Sequence, residues 1–245
     1  MIMFEKIIDN LFPKGYKCVF CGEELDHNTL YSICDDCMEH LPFNNGHVCL
    51  RCDMPLENMG NYCVHCKNNK LYFKKNTSLF LYKAPINKII RQLKYDNKRY
   101  FAETFSNMIA GKVASMDVNF DIVIPVPLYF KRQKKRGYNQ SELLCSALKS
   151  KLNMNVDTSI LIKIKNTRTQ ANLSRAQRME NLEGAFSVPD GKDVKGKTIL
   201  LVDDVFTTGA TINECAKTLV KAGAKAVYSV TLAHANFKDS IKHKD

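Results

Sequence analysis

Two kinds of apolar spacing alternate from residue 77 to residue 233. Short runs in which nearly every position is apolar or β-favouring read as strands: Thr77-Ser-Leu-Phe-Leu-Tyr82, Asp121-Ile-Val-Ile-Pro-Val-Pro127, Ile160-Leu-Ile-Lys-Ile164, Thr198-Ile-Leu-Leu-Val202 and Val227-Tyr-Ser-Val-Thr-Leu-Ala233. Between them apolar positions recur three and four apart, the spacing of a helix face. Pro85 through Tyr95 carries Ile86, Ile89, Ile90 and Leu93 on one stripe, with Lys88, Arg91 and Lys94 off it. A second helical pattern runs through Phe105, Ile109 and Val113, and a third, Gln140 to Leu152, turns Leu143, Leu144, Ala147 and Leu148 inward. Ile212, Cys215, Ala216, Leu219 and Val220 mark a fourth, which Gly223 closes as a C-terminal cap. Strands apolar on both faces, alternating with amphipathic helices, predict a doubly wound, mainly parallel α/β sheet, whose ligands would sit at the carboxyl ends of the strands.

The first 70 residues break this pattern. They hold eight of the ten cysteines in four C-x-x-C knuckles, Cys18/Cys21, Cys34/Cys37, Cys49/Cys52 and Cys63/Cys66, separated by twelve, eleven and ten residues. Such a knuckle aims two sulfurs at one ion, so two knuckles supply a four-thiolate, closed, structural zinc site. Few large apolar residues lie between the knuckles, and metal binding would then supply most of the folding free energy there. Joining neighbours makes two consecutive ribbons; an interleaved pairing has the same ligand list, and an iron–sulfur cluster would accept the same thiolates. Cys145 and Cys215 sit at apolar positions of helical patterns and read as small core residues. The expected organisation is a double zinc ribbon over residues 1–70 and an α/β domain over residues 71–245.

The 245 residues, 45% apolar and 25% charged, exclude a disordered chain. No apolar run approaches the ~20 residues that span a bilayer. Glu5 and Asp9 interrupt the N-terminus where a secretory signal would be apolar, which leaves a cytoplasmic chain as the expectation. Charge is unevenly spread: residues 1–70 hold six Lys/Arg against ten Asp/Glu, a net of −4, whereas residues 71–245 hold thirty against fifteen, a net of +15. A long basic domain suits a polyanionic partner, either a phosphorylated metabolite or nucleic acid.

The segment Ile199-Leu-Leu-Val202-Asp203-Asp204-Val-Phe-Thr207-Thr208-Gly209-Ala210-Thr211 passes from a buried strand, through two carboxylates, into a Thr/Gly loop that opens a helix. Helix-start amides and the hydroxyls of Thr207, Thr208 and Thr211 would surround a phosphate, and Gly209 would let the backbone approach it. Adjacent carboxylates can accept from two vicinal hydroxyls, as a ribose presents them. The stretch resembles the phosphoribosyl-pyrophosphate motif of type I phosphoribosyltransferases. That resemblance implies that Asp203 and Asp204 hold the ribose hydroxyls and take the catalytic position. Thr207, Thr208, Gly209, Ala210 and Thr211 would hold the 5′-phosphate, and Mg²⁺ would bridge pyrophosphate and ribose oxygens.

Gly191-Lys-Asp-Val-Lys-Gly196-Lys197-Thr198 formally matches a nucleotide phosphate loop, but it runs into a strand instead of opening a helix and reads as a polar turn. Two basic stretches are better candidates for anion contacts. Lys131-Arg132-Gln-Lys-Lys-Arg136 packs five cations into six residues, and Arg168, Arg175 and Arg178 follow the strand at 160–164. Both fall at predicted strand carboxyl ends, where they would serve as a pyrophosphate site and mobile lid, or as contacts to a nucleic-acid backbone with Tyr129, Phe130 and Tyr138 stacking on bases.

Over nearly its full length the chain resembles the ComF (ComFC) group of bacterial competence proteins. The likeness rests on the cysteine ribbons, Leu93-Lys94-Tyr95, Pro125-Val-Pro-Leu, Arg132, Arg136-Gly-Tyr-Asn-Gln140, Arg168-Thr-Gln170, Leu173, Arg175, Asn181-Leu and the Asp203 to Thr211 motif. It implies a type I phosphoribosyltransferase fold that binds phosphoribosyl pyrophosphate and Mg²⁺, contacts single-stranded DNA and works with DNA-uptake proteins. The alternative is an active phosphoribosyltransferase of nucleobase metabolism with no role in DNA uptake.

Overall fold

The computed structural model describes residues 17–25, 31–57, 59–167 and 174–235. The chain gathers into two compact units, residues 1–41 and 42–245. In the smaller one, helix α1 (Asp35–Glu39) starts at Cys34, whose Sγ accepts from the Cys37 amide at 3.5 Å, and a bridge pairs Lys17 with Glu24.

The larger unit runs α2 (Val64–Asn68), β1 (Asn76–Leu81), α3 (Ile86–Tyr95), α4 (Tyr100–Ala114), β2 (Ile122–Pro125), α5 (Phe130–Arg136), α6 (Gln140–Leu144), α7 (Ser146–Ser150), β3 (Ile162–Lys163), α8 (Arg175–Leu182), β4 (Phe186–Ser187), β5 (Thr198–Phe206), α9 (Ala210–Lys221) and β6 (Ala226–His234). Four strands form the main sheet in the order β1-β6-β5-β2, and every neighbouring pair is parallel. The step from β1 to β2 crosses the sheet in one direction, while the steps from β2 to β5 and β5 to β6 return. Right-handed crossovers then place α3 and α4 on one face and α9 on the other. This is the predicted doubly wound sheet flanked by helices. All four strands end on the same side, where the Asp203 to Thr211 segment lies.

Three elements differ from the sequence reading. β5 continues past Val202 to Phe206 because β6 keeps pairing with it, Asp203 opposite Thr231 and Phe206 opposite His234, so the two aspartates stand on a strand. The helix expected over 140–152 breaks at Cys145, whose thiol donates to the Ser141 carbonyl while its amide bonds Glu142. The run at 160–164 contributes only β3, paired antiparallel with β4 outside the main sheet. The place it would have taken is filled: residues 155–157 already pair with the outer edge of β2 through Val123.

The opposite edge of the sheet is closed by residues 42–53. The Asn76 amide donates to the Arg51 carbonyl at 2.8 Å, the Ser78 amide to the Asp53 carboxylate at 2.7 Å and the Leu81 amide to the Pro42 carbonyl at 2.7 Å. A bare edge of this kind is a template for pairing with other chains. Arg51 is itself fixed by donating to the carbonyls of Leu71 and Phe73 at 2.8 and 3.0 Å. Inside, Asn76 donates to the Cys52 carbonyl and Ser78 Oγ, and the Ser78 and Thr231 hydroxyls bond at 2.8 Å. Cys49, Cys52, Cys63 and Cys66 are all buried in the same apolar cluster as Phe73, Ile199, Leu201, Cys215 and Val227.

A change at the second cysteine group should therefore be felt throughout the sheet. Cys52→Ser is expected to lower the stability of the larger unit by about 3 kcal/mol or more, read as faster exchange of the β5 and β6 amides, whereas Cys21→Ser leaves that exchange unchanged.

Candidate functional site

Asp203 and Asp204 are both buried near the end of β5, and their partners come from different elements. Asp204 Oδ1 lies 2.8 Å from the Lys94 ammonium, which reaches in from the last turn of α3. Asp203 Oδ1 accepts from the Ser141 hydroxyl of α6 at 3.1 Å and from the Asp204 amide at 2.9 Å. Asp204 Oδ2 is buried and has no hydrogen-bond partner among the described residues. Burial, with the charge of Asp204 beside it, pushes the Asp203 carboxyl up to about 7, against the pull of Lys94. Burial alone would lower Lys94, but the charge of Asp204 outweighs it and the ammonium is held. On the Asp203 side lie Lys163, lowered by burial, and Cys215, pushed well up by burial and then by the charge of Asp203. Cys215 and Cys145 are buried thiols of the core, as their spacing predicted.

The bend after β5 depends on Gly209. Its φ is +76°, and a Cβ at that position would stand 2.6 Å from Cζ of Phe206. The Phe206 ring cannot easily give way. His234 stacks on it at 5.2 Å and Phe73 meets it edge-on at 5.9 Å. A side chain at Gly209 would thus meet both strain, about 1–3 kcal/mol for the backbone, and a clash, so the glycine is required by the ring beneath it apart from any ligand. Thr208 Oγ1 accepts from the Ala210 amide at 3.4 Å. Thr208 and Ala210 are buried while Thr207 and Thr211 are half-buried, which gives the loop its open side. Behind the loop, His234 is 2% exposed, neither ring nitrogen has a hydrogen-bond partner among the described residues, and burial pushes its pKa down to about 4.

The basic stretch at 131–136 is the helix α5, not a loop, and its cations divide. Lys131, Lys134 and Lys135 are exposed. Arg132 turns in to donate to the Thr167 carbonyl, and Arg136 donates to Gln140 and lies 5.6 Å from the ring centre of Tyr95. Phe130 is 60% exposed and Tyr95 69%. Tyr138 is not available for base stacking as the sequence suggested: it is buried, its hydroxyl donates to the Leu93 carbonyl, and Arg99 covers its ring at 4.4 Å. Arg168 lies outside the described residues, as does the side chain of Arg175, which opens α8. Arg178 is buried on α8, and since β3 is outside the main sheet this second stretch does not follow one of its strands. Gly191–Thr198 is a turn that enters β5, as its context required. Two surface cavities, of about 480 and 440 Å³, lie away from the aspartates, one beside Phe186 and Glu214, the other beside Arg99 and Leu143.

The cysteines form two groups of neighbours, Cys18/Cys21/Cys34/Cys37 and Cys49/Cys52/Cys63/Cys66. Within each group the sulfurs lie within 4.8 Å of one another. Cys21 and Cys34 are 3.6 Å apart and Cys52 and Cys63 3.7 Å, against the ~3.8 Å edge of a tetrahedron with ~2.3 Å Zn–S arms. The donor set and spacing fit a structural zinc ion in each, with sequential pairing. Lys94, Ser141 and His234 are the site residues that sequence reasoning did not single out; only Lys94, within the Leu93-Lys94-Tyr95 triplet, left a signal.

Comparison with known proteins agrees with this architecture. The family described as "Phosphoribosyl transferase domain" matches residues 139–244, and the "Double zinc ribbon domain" matches residues 7–67. "Competence protein F" of Haemophilus influenzae is 30% identical over 227 residues, 90% of this chain and 98% of that protein. "DNA utilization protein YhgH" of Escherichia coli is 31% identical, covering 74% of this chain and 81% of its own length. "Competence protein ComFC" of Bacillus subtilis is 24% identical over 88% of this chain and 93% of its own. The chain belongs to the competence protein F (ComF) family, with a phosphoribosyltransferase-type α/β domain and a double zinc ribbon. No helix among the described residues is long and apolar enough to cross a membrane.

His234 generates a pH prediction. Its folded pKa lies below the ordinary ~6.5, so the unfolded chain takes up the proton first and stability is lost as pH falls from about 6.5 towards about 4. Asp203 has the opposite sign: its raised pKa favours the folded state at low pH, a contribution lost as pH rises through about 7. Comparing urea midpoints of the wild type and His234→Phe at pH 7 and pH 5 isolates the histidine. The variant should lose less stability on acidification, by up to about 2 kcal/mol.

Proposed function

We propose that, as a member of this family, the protein binds phosphoribosyl pyrophosphate with Mg²⁺ at the carboxyl end of β5 and serves the handling of single-stranded DNA during uptake, in the cytoplasm and beside other uptake proteins. The supporting observation is the run of two buried carboxylates directly into a hydroxyl-lined bend that opens a twelve-residue helix. Asp203 and Asp204 are acceptors for the ribose hydroxyls, and the unpartnered Asp204 Oδ2 is the kind of buried atom that a hydroxyl or a cation satisfies. Thr207, Thr208, Gly209, Ala210 and Thr211 receive the 5′-phosphate at the positive end of α9. Mg²⁺, held through the same carboxylates, would neutralise pyrophosphate charge. Arg132 and Arg136, although hydrogen-bonded to internal partners, are the candidates to answer that charge, and the exposed Lys131, Lys134 and Lys135 serve the DNA backbone. Zinc in both cysteine groups is structural.

The match of residues 139–244 to a phosphoribosyltransferase domain also favours transfer of the ribosyl group to a nucleobase as a use of the same donor site. Pyrophosphate release on adding candidate bases to the protein, donor and Mg²⁺ would move the reading to that enzyme.

Titration calorimetry tests the ligand. The wild type should bind phosphoribosyl pyrophosphate with Mg²⁺, and Asp203→Asn/Asp204→Asn should weaken it by about a hundredfold or more, the loss of two charge-assisted hydrogen bonds; undiminished affinity sinks the assignment. For DNA, the logarithm of affinity for a single-stranded oligonucleotide should fall linearly with the logarithm of salt. Replacing Lys131, Lys134 and Lys135 with glutamine should lessen that slope by about 2, at ~0.7 per phosphate contact.

A further inference from the structure

The last turn of α3 brings a cation into the acidic site, and the surroundings hold it there. Leu93 is fully buried and its carbonyl accepts from the Tyr138 hydroxyl, while Arg136 lies against the ring of Tyr95 on the other side of the lysine. The Lys94 side chain is 24% exposed and that of Asp204 5%, with 2.8 Å between ammonium and carboxylate. Beside Asp204 lie the Asp203 carboxylate, the Lys94 ammonium and the buried Asp204 Oδ2, which has no hydrogen-bond partner among the described residues, while Lys163 acts on the Asp203 side. A divalent ion placed on Asp204 in this state would have to displace the ammonium and leave an excess positive charge in a poorly solvated place, which low-dielectric surroundings oppose. A ligand carrying phosphates changes the balance, because its oxygens give the displaced ammonium somewhere to go. The four-carbon stem of lysine, with its compact head, suits such a movement better than a planar, bidentate guanidinium would.

We propose that Lys94 is a displaceable internal counter-ion of the Asp203–Asp204 pair, which bars a divalent cation from binding alone and makes its binding depend on a phosphorylated sugar. This deepens the proposed reading and rests on it for the identity of the sugar, but the exchange of cations at Asp204 can be measured without it. Lys94 acts here as a positioning residue: it sets the order and coupling in which metal and ligand arrive.

The test uses Mn²⁺ as the metal probe, followed by electron paramagnetic resonance on the full chain. Wild-type protein should bind Mn²⁺ weakly, and phosphoribosyl pyrophosphate should tighten it by about tenfold or more. Lys94→Gln, which keeps a donor for Asp204 but not the charge, should bind Mn²⁺ alone about tenfold more tightly than wild type and show less tightening by the sugar phosphate. Adding Asp204→Asn to that variant should abolish the gain. Mn²⁺ affinity equal to or weaker than wild type in a folded Lys94→Gln protein overturns the proposal. If Lys94→Gln does not fold, Lys94→Arg decides: the retained charge should keep Mn²⁺ alone as weak as in wild type, and Mn²⁺ bound alone about tenfold more tightly by Lys94→Arg than by wild type would overturn the counter-ion role. A wild type that ignores phosphoribosyl pyrophosphate while Lys94→Gln still gains Mn²⁺ removes the ligand reading and leaves the counter-ion standing.

Discussion

Two neighbouring carboxylates taken out of water repel each other and lose hydration together, so a fold that buries them must supply an answering charge or keep one of them protonated. At the end of β5 this protein supplies the charge and shifts one carboxyl part of the way towards its neutral form. Lys94 answers Asp204 from across the sheet's end, and burial with the neighbouring charge holds Asp203 up to about 7. The rest of the site is arranged around that compromise: α3 is anchored through Leu93 and Tyr95 so that the lysine arrives in place, and α6 delivers Ser141 to the second carboxylate. An ordinary α/β core would place apolar residues at these positions.

The bend that follows has the opposite character. Gly209, Phe206, Phe73 and His234 form a stack in which each member restricts the next, and the loop's shape is set by packing before any anion arrives. A preformed loop loses little entropy on binding. The carboxylates are adjustable in charge and the bend is rigid in shape, a division that suits a ligand with a fixed phosphate at one end and a variable metal load at the other.

Much of this was legible in the sequence. Continuous apolar runs and apolar positions three and four apart located the main strands and helices, because both faces of the sheet are covered and burial leaves a strong imprint there. The Asp203 to Thr211 segment and the cysteine knuckles were readable because their spacing is local. What failed was non-local. Nothing near Phe206 says that β6 will go on pairing with it, nothing near Ile160 says that β2's outer edge is already taken by residues 155–157, and nothing near Tyr138 says that its hydroxyl will find the Leu93 carbonyl. Lys94 stands off the apolar stripe of its helix, and nothing local names its partner, which lies 110 positions away in the chain. His234 gave no signal at all, since a lone histidine at a strand's end has no pattern to stand out from.

The closure of β1 by residues 42–53 limits how this architecture can be taken apart. A gene that donated only the stretch after residue 70 to another protein would carry away a sheet whose outer amides had lost their acceptors and whose apolar cluster had lost four buried thiols. Such a fragment would seek a replacement edge from whatever chain was near. The second cysteine group and the sheet it packs against thus form one folding unit, and a cut that leaves both intact falls before Pro42.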